Sequence, residues 1–441
     1  MFKFPKGLYT DVRIENVFET HIKVTMGEVD DIKERSYKAA FIRLYDGTRW
    51  YYTTTTDIEN IQKSIDELSR YAKSTNISGH PLIEKLEVNE GEFLKFDTND
   101  ISQVSLDDKF SLLKRFFPQN KYIKLWRAQY VDKRVEKEFY SSKGANLRFD
   151  TQRAGFRISF EMSDGDKKFN ERFEKAGNTF QELNVDIKDM ETHIRKSVEF
   201  LKNSVNINPG QYTVVLSPEA AGVFAHESFG HKSEADFMIG DENMKKEWEL
   251  GKKVGAEILS IVDDGNVLGT GYTPFDDEGT RSKKTYLIKN GILSGRLHNA
   301  TTAVSLNEEL TGNARAVSFE FEPIVRMTTT YIEPGNVSFE QLISDIKEGI
   351  YIETVKHGSG MSTFTLAPSL AYKIKNGMIA EPVKISVVSG SVFETLYNIE
   401  GLSKELKLLS FVLGGCGKWE QFPLPVGFGG PHVRVKTLNV Q

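Results

Sequence analysis

The 441-residue chain has a single cysteine, Cys416, so no disulfide can form within it. No apolar run approaches the roughly 20 residues that a membrane-spanning helix needs. There is no basic excess either. Lys and Arg total 57 against 62 Asp and Glu, a formal net charge of −5, which argues against a binder of phosphate backbones, since that role requires a basic face. Low-complexity tracts and short-period repeats are absent. The opening MFKFPKGLYTDVRIE carries no apolar secretory segment. These absences lead us to expect a cytoplasmic protein without membrane or direct nucleic-acid contacts. Hydrophobic content of 39% and charged content of 27% suit a soluble protein with a real core. At roughly 150 residues per domain, the length allows two or three domains.

The first half alternates as strands do, in DVRIENVFETHIKVTM and AAFIRLYDGTRWYYTTTT, with Asp46-Gly47 as a hairpin turn between strand runs. A helix should follow, with Thr56 as cap, Glu59 completing a capping box, and Ile58, Ile61, Ile65 and Leu68 as its apolar stripe. Residues 75–120 read as a polar connection or a loose insertion. Two more strand runs follow, then a helix over 186–204 with Ile187, Met190, Ile194, Val198 and Leu201 on one face. The pattern is α+β: strand–helix units in the N-terminal half and a β-rich C-terminal half that carries a short zinc-binding helix. Asn208-Pro209-Gly210 marks the expected boundary between an N-terminal domain, 1–207, and a C-terminal domain, 208–441.

The chemistry concentrates in AAGVFAHESFGHKSEAD, launched from the strand YTVVL by Ser217 as cap and Pro218 as first helical residue. His226 and His231 are five apart, with Glu227 between them. On a regular helix a spacing of four separates two side chains by about 40° around the axis, whereas five separates them by roughly 140°. Both rings can meet one ion only if the helix loosens. A bulge or helix end is therefore expected at Phe229–Gly230, with Gly230 supplying the backbone freedom. Chance is the competing explanation for such a string. Cys416, with glycines at 414, 415 and 417, could join the histidines: zinc takes imidazole and thiolate ligands, and a catalytic site has three protein ligands plus water. A cysteine nucleophile with a histidine base is the lesser alternative, because it leaves Glu227 without a task.

HESFGHKSEADF, FDDEGT, TGNAR followed by RMTTTYIEPG, and CGKWEQFPLPVGFGGP, in this order, resemble the TldD/PmbA family over nearly the whole chain. Its TldD-like members carry the zinc motif, and its PmbA/TldE-like members have lost it. With His226, Glu227, His231 and Cys416 retained, the chain resembles the metalloprotease branch. The resemblance implies a two-part α+β fold and a zinc site in the C-terminal half, within a chamber closed by a partner subunit. It also implies action on peptides and unfolded segments. His226, His231 and Cys416 would be the Zn2+ ligands and Glu227 the general base for attack by a zinc-bound water. The partner would be a second copy or a TldE/PmbA-like paralogue. The alternative is a non-catalytic peptide-binding subunit with a structural zinc. Two departures stand out: the helix that usually opens family members is missing, and Glu420-Gln421 stands where many relatives have Gly-Gln.

Smaller candidates remain. Glu234 or Asp236 could accept the free ring N–H of a ligand histidine. Asp276, Asp277 and Glu278 could form a second metal site, though a hydrogen-bonding loop is the stronger reading. Arg315 and Arg326 could meet a substrate carbonyl or serve structural pairs. His21, His80, His193, His298, His357 and His432 have no partner spacing and are expected to be structural or superficial.

Overall fold

The computed structural model describes residues 2–73 and 77–441. The N-terminal half builds one seven-stranded sheet from β1 (Tyr9–Thr25), β2 (Glu28–Tyr45), β3 (Trp50–Thr55), β4 (Glu90–Phe93), β5 (Ile123–Ser141), β6 (Asn146–Asp164) and β7 (Lys167–Gly177). The order is β3-β2-β1-β5-β6, with β4 and β7 sharing the far side of β6. The expected turn joins β2 to β3. The Asp46 carboxylate accepts from the backbone of Thr48 and Arg49, and Gly47 has φ +93°, a conformation that costs glycine nothing.

Helix α1 (Ile61–Ser69) buries Ile61, Ile65 and Leu68 as the stripe requires. The Thr56–Glu59 capping box does not form. A 3-10 turn over Ile58–Asn60 precedes the helix, and Asn60 donates to the Asp57 carboxylate. The segment taken as a loose connection is structured over its described part. It holds α2 (Pro81–Lys85), β4 and α3 (Leu106–Lys114), with Ile101, Leu113 and Phe116 completely buried. Its irregular backbone is satisfied by side chains of β6: Asp150 accepts from Lys95 and Phe96, and Gln152 from Ile101. A polar sequence can be well ordered when its neighbours supply the acceptors. Residues 75 and 76 of that expectation lie outside the described residues. Helix α4 (Ile187–Asn203) is capped by Asp186 and buries Met190, Ile194 and Leu201, as the periodicity predicts.

After β8 (Val205–Asn206), β9 (Gly210–Leu216) enters a ten-stranded sheet, parallel to Glu348–Ile352 and antiparallel to Val433–Val440. A six-stranded sheet includes Ile261–Asp264, Thr329–Ile332 and Gly427–Gly430. Between these sheets lies α5 (Pro218–Ala225), capped by Ser217, whose Oγ accepts from Ala220. Apart from Glu219 all its residues are buried, as a helix apolar on every side should be. Burial of Val223 and Phe224 stabilises this seat by roughly 1.5–3 kcal/mol each. The fold is thus mixed and strand-rich, in two parts that share contacts: Leu370 and Tyr372 complete the core beneath the N-terminal sheet.

Candidate metal centre

Helix α5 runs straight into a π-helical turn over His226–Gly230, followed by a 3-10 turn over His231–Ser233. The His231 N–H donates to the His226 carbonyl, a five-residue closure that takes up the extra position. The two rings come to 5.1 Å between centroids, at 79°. The bulge therefore lies where the spacing demands it, but Gly230 serves a different purpose from the one expected. Its φ of −56° and ψ of −53° are ordinary right-handed values. Glycine suits the position because a Cβ there would overlap the Met327 sulfur and force that buried side chain to shift. The requirement is close approach, not backbone freedom.

Cys416 arrives on a hairpin of Cys416–Lys418 and Gln421–Leu424. Gly414 has φ +86°, and a Cβ on Gly415 would strike the Leu424 backbone, so these glycines permit the sharp turn and tight pairing anticipated for them. Donor atoms of His226, His231 and Cys416 all lie within 4.8 Å of one another. The Cys416 Sγ is 3.4 Å from His231 Nε2. Burial raises the thiol's pKa, but His226 and His231 lower it by more and bring it down to about 5, so the thiolate is favoured at neutral pH.

Supporting residues hold this geometry. On the far side of the ring, His231 Nδ1 is 3.1 Å from Glu234 Oε2, and Glu234 is completely buried. Of the two acids considered for this contact, Glu234 makes it. Asp236 instead takes the Lys418 ammonium at 2.6 Å, and Lys418 also reaches Glu234 at 3.1 Å and the Val325 carbonyl at 2.9 Å. Arg326 is fully buried and donates to the carbonyls of Cys416 at 2.7 Å and Gln421 at 3.2 Å, which clamps both strands of the hairpin. Arg315 holds the carbonyls of Met327 and Pro425. Both arginines thus bind backbone. Their bare sequence context carries no signal for that, nor for the Lys418 link between hairpin and helix.

Glu227 is half-buried and makes no hydrogen bond or ion pair among the described residues. It lines a cavity of about 400 Å³ together with His226, His231 and Cys416. Lys356, His357 and Gly358 form part of the same wall. His357 is exposed and sits on the edge strand Val355–Gly360. Reading it as superficial was correct about exposure but missed its place at the site. A lone histidine more than a hundred residues from the motif offers no spacing to detect.

The acidic stretch does not make a second metal site. Asp276, Asp277 and Glu278 are buried and satisfied from within. Asp276 accepts from the N–H groups of Glu278, Thr280 and Ala314. Asp277 accepts from Ala316 and Lys137, and Glu278 from Arg43 and Ala300. This is the hydrogen-bonding loop, and it ties the two halves together. His298 is likewise structural, buried between Thr302 and Glu308.

Two imidazoles and a thiol thus converge beside an open cavity on a mixed, strand-rich scaffold, a donor set able to hold a metal ion. The profile of the PmbA/TldA metallopeptidase C-terminal domain matches residues 209–441, and that of domain 1 matches residues 10–72. The chain is 36% identical over 318 residues to a metalloprotease of Methanothermobacter thermautotrophicus, covering 70% of this chain and 68% of that one. It is 30% identical over 464 residues to a zinc metalloprotease TldD homolog of Saccharolobus solfataricus, covering 100% of this chain and 99% of that one. The crystal structure of TldE from Thermococcus kodakarensis superposes with a TM-score of 0.77 at 17% identity, covering 98% and 96% of the two chains, a likeness of fold. The chain belongs to the PmbA/TldD metallopeptidase family. No helix among the described residues is long and apolar enough to cross a membrane.

Proposed function

We propose that this protein is a zinc metallopeptidase of the TldD type that cleaves extended or unfolded peptides. His226, His231 and Cys416 would hold the metal, and Glu227 would act as general base. The observation that carries this reading is the convergence of three donors within 4.8 Å beside an unpaired carboxylate in one cavity. The donor set fits zinc: two imidazoles and a thiolate satisfy its preference and leave a fourth position for reaction. His226 Nδ1 is buried without a partner, an unusual expense for a ring nitrogen unless a ligand completes it. Glu234 would fix the orientation of the His231 ring.

Bound zinc supplies Lewis acidity, polarising the scissile carbonyl and making water a stronger nucleophile at neutral pH. Glu227 takes the attacking water's proton and hands it to the departing amine. Its lack of any internal partner keeps the carboxylate available for that transfer. The peptide would lie along Val355–Gly360, the edge of the ten-stranded sheet, where unpaired backbone groups can accept an added strand. That strand passes close to the base, since a Cβ on Gly360 would meet the Glu227 carbonyl at 3.0 Å.

Residues 208–441 would form the metalloprotease domain, and residues 1–207 would handle peptide and subunit contacts. Trp419 and Phe422, 63% and 62% exposed at the tip of the cysteine hairpin, support a second subunit closing over the site, either another copy or a TldE/PmbA-like paralogue. A cytoplasmic location fits the reduced lone thiol. The test measures zinc content and hydrolysis of an unstructured peptide for wild type, Glu227→Ala and Cys416→Ala. Glu227→Ala should retain zinc and lose cleavage, and Cys416→Ala should lose both. Undiminished cleavage by Glu227→Ala would overturn the mechanism.

A further inference from the structure

A second cavity of about 520 Å³ adjoins the metal cavity, and Leu413 and Gly414 line both. Its floor is the N-terminal sheet. One cross-strand row there reads Arg35 on β2, Glu19 on β1, Lys133 on β5 and Arg153 on β6, each paired in register with the next. Three cations share one carboxylate. Glu19 bonds Arg35 and lies 3.4 Å from Lys133. Arg153, at the end of the row, makes no hydrogen bond or ion pair among the described residues, although it lines this cavity and a third one beside it.

The neighbouring rows do not correct the imbalance. One holds Lys33, His21, Val131 and Gly155, and the other Tyr37, Val17, Val135 and Thr151. Lys33 pairs with Asp31 at 2.8 Å. Asp132, also in the wall, is committed to Lys109 at 2.9 Å. Burial brings the Arg153 guanidinium down to about 10, with Glu19 opposing only in part. A half-buried guanidinium without a counter-ion is unfavourable, and a ligand carboxylate matches its planar fork.

We propose that Arg153, assisted by Lys133, is a carboxylate-binding subsite that anchors a peptide whose scissile bond lies at the metal cavity. Position sets the register. Arg157 stands four residues along β6 on the same face, lines the metal cavity, and donates to the Leu413 carbonyl. Four residues of strand span roughly 13 Å, the length of four residues of extended peptide. Arg153 therefore stands about four residues of extended chain from a residue lining the metal cavity, and the anchored carboxylate belongs several residues from the cleaved bond. It can come from the peptide's C-terminus or from an Asp or Glu side chain, since the guanidinium reads the same group in both.

This inference rests on the metallopeptidase reading for the bond it positions, but binding can be measured without cleavage. The full-length Glu227→Ala protein would be titrated by fluorescence anisotropy with one unstructured, labelled peptide in four forms: free acid, C-terminal amide, amide with one internal Asp, and amide with Asn there. We expect the free acid to bind about tenfold tighter than its amide, or the Asp form about tenfold tighter than Asn. Whichever pair differs identifies the source of the carboxylate. Adding Arg153→Gln should bring the carboxylate peptide down to the affinity of its neutral counterpart, and Arg153→Lys should recover part of the gain. Equal affinity of all four peptides, absence of binding, or a preference that survives Arg153→Gln would overturn the subsite. Should Arg153→Gln fail to fold, the four-peptide comparison still decides. Zinc-loaded wild-type protein that never cleaves, even with a TldE/PmbA-like partner subunit supplied, but keeps the preference would refute the metallopeptidase reading and leave the subsite standing.

Discussion

The stretches HESFGH and FDDEGT pose the same question in sequence, since each packs metal-capable side chains into six residues, and the fold answers it in opposite ways. Around Asp276, Asp277 and Glu278 the carboxylates meet backbone N–H groups and the cations Lys137 and Arg43. Little donor capacity is left for an ion. Around His226 and His231 the side chains face one another and a thiol, while Glu227 faces a cavity and His226 Nδ1 has no hydrogen-bond partner. Ligand-type residues become a candidate site when folding leaves their lone pairs unspent. They become structure when neighbouring donors consume them.

This contrast can be broken by substitution. The largest effect is expected from Cys416→Ala: zinc measured by atomic absorption after dialysis should fall from near one per chain to background, with cleavage lost. Chelation of the wild type should copy that loss, and added zinc should reverse it. Next comes Glu227→Ala, for which kcat should drop by about 10²–10⁴-fold at unchanged zinc content. A drop in zinc would show that Glu227 is a ligand instead. Asp276→Ala strands three buried N–H groups and should destabilise by about 3 kcal/mol or more, read by urea unfolding. Zinc bound by its folded fraction should equal wild type; loss of metal from folded protein would erase the distinction between the two stretches.

Smaller effects sharpen the comparison. Glu234→Gln should weaken zinc by about 10–100-fold, because the His231 ring loses its carboxylate while the three donors remain. Competition with a chromogenic chelator measures this, and an unchanged affinity would reduce Glu234 to packing. Glu219, the one residue of α5 that is half-buried rather than fully buried, supplies the pH test. Burial raises its carboxyl to about 7, against the opposing Val355 N–H and Arg172. The folded state thus holds a proton that the unfolded chain, with its carboxyl near 4.5, gives up earlier. That contribution is full below pH 4.5 and is lost as pH rises through 7. Relative to wild type, Glu219→Gln should gain Tm over that interval and level off above it. A pH-independent difference would contradict the raised carboxyl.

Much of the scaffold was legible from periodicity. Met190, Ile194 and Leu201 repeat at helical spacing and are buried, and Ser217-Pro218 opens α5 as its capping chemistry requires. The expected distortion at Phe229–Gly230 followed from angular geometry alone. Reading failed where a residue's reason lay across the fold. Gly230 is small for Met327, which is distant in the chain. The segment after α1 looked loose because its acceptors, Asp150 and Gln152, belong to β6. Thr56 and Glu59 matched a capping box, yet a 3-10 turn intervened.

By itself, then, the sequence determined local matters: which segments alternate, where α5 starts, and that two histidines five apart cannot share an ion on a regular helix. Those follow from backbone geometry and side-chain period, which act over a few residues. Only the tertiary structure decided that Cys416 reaches His231, that Glu234 rather than Asp236 meets the ring, that Arg326 and Lys418 secure the hairpin, and that Arg153 is left without a counter-ion. Each of these depends on which polar groups become neighbours when sheets close on one another, and burial makes every unsatisfied charge or lone pair count.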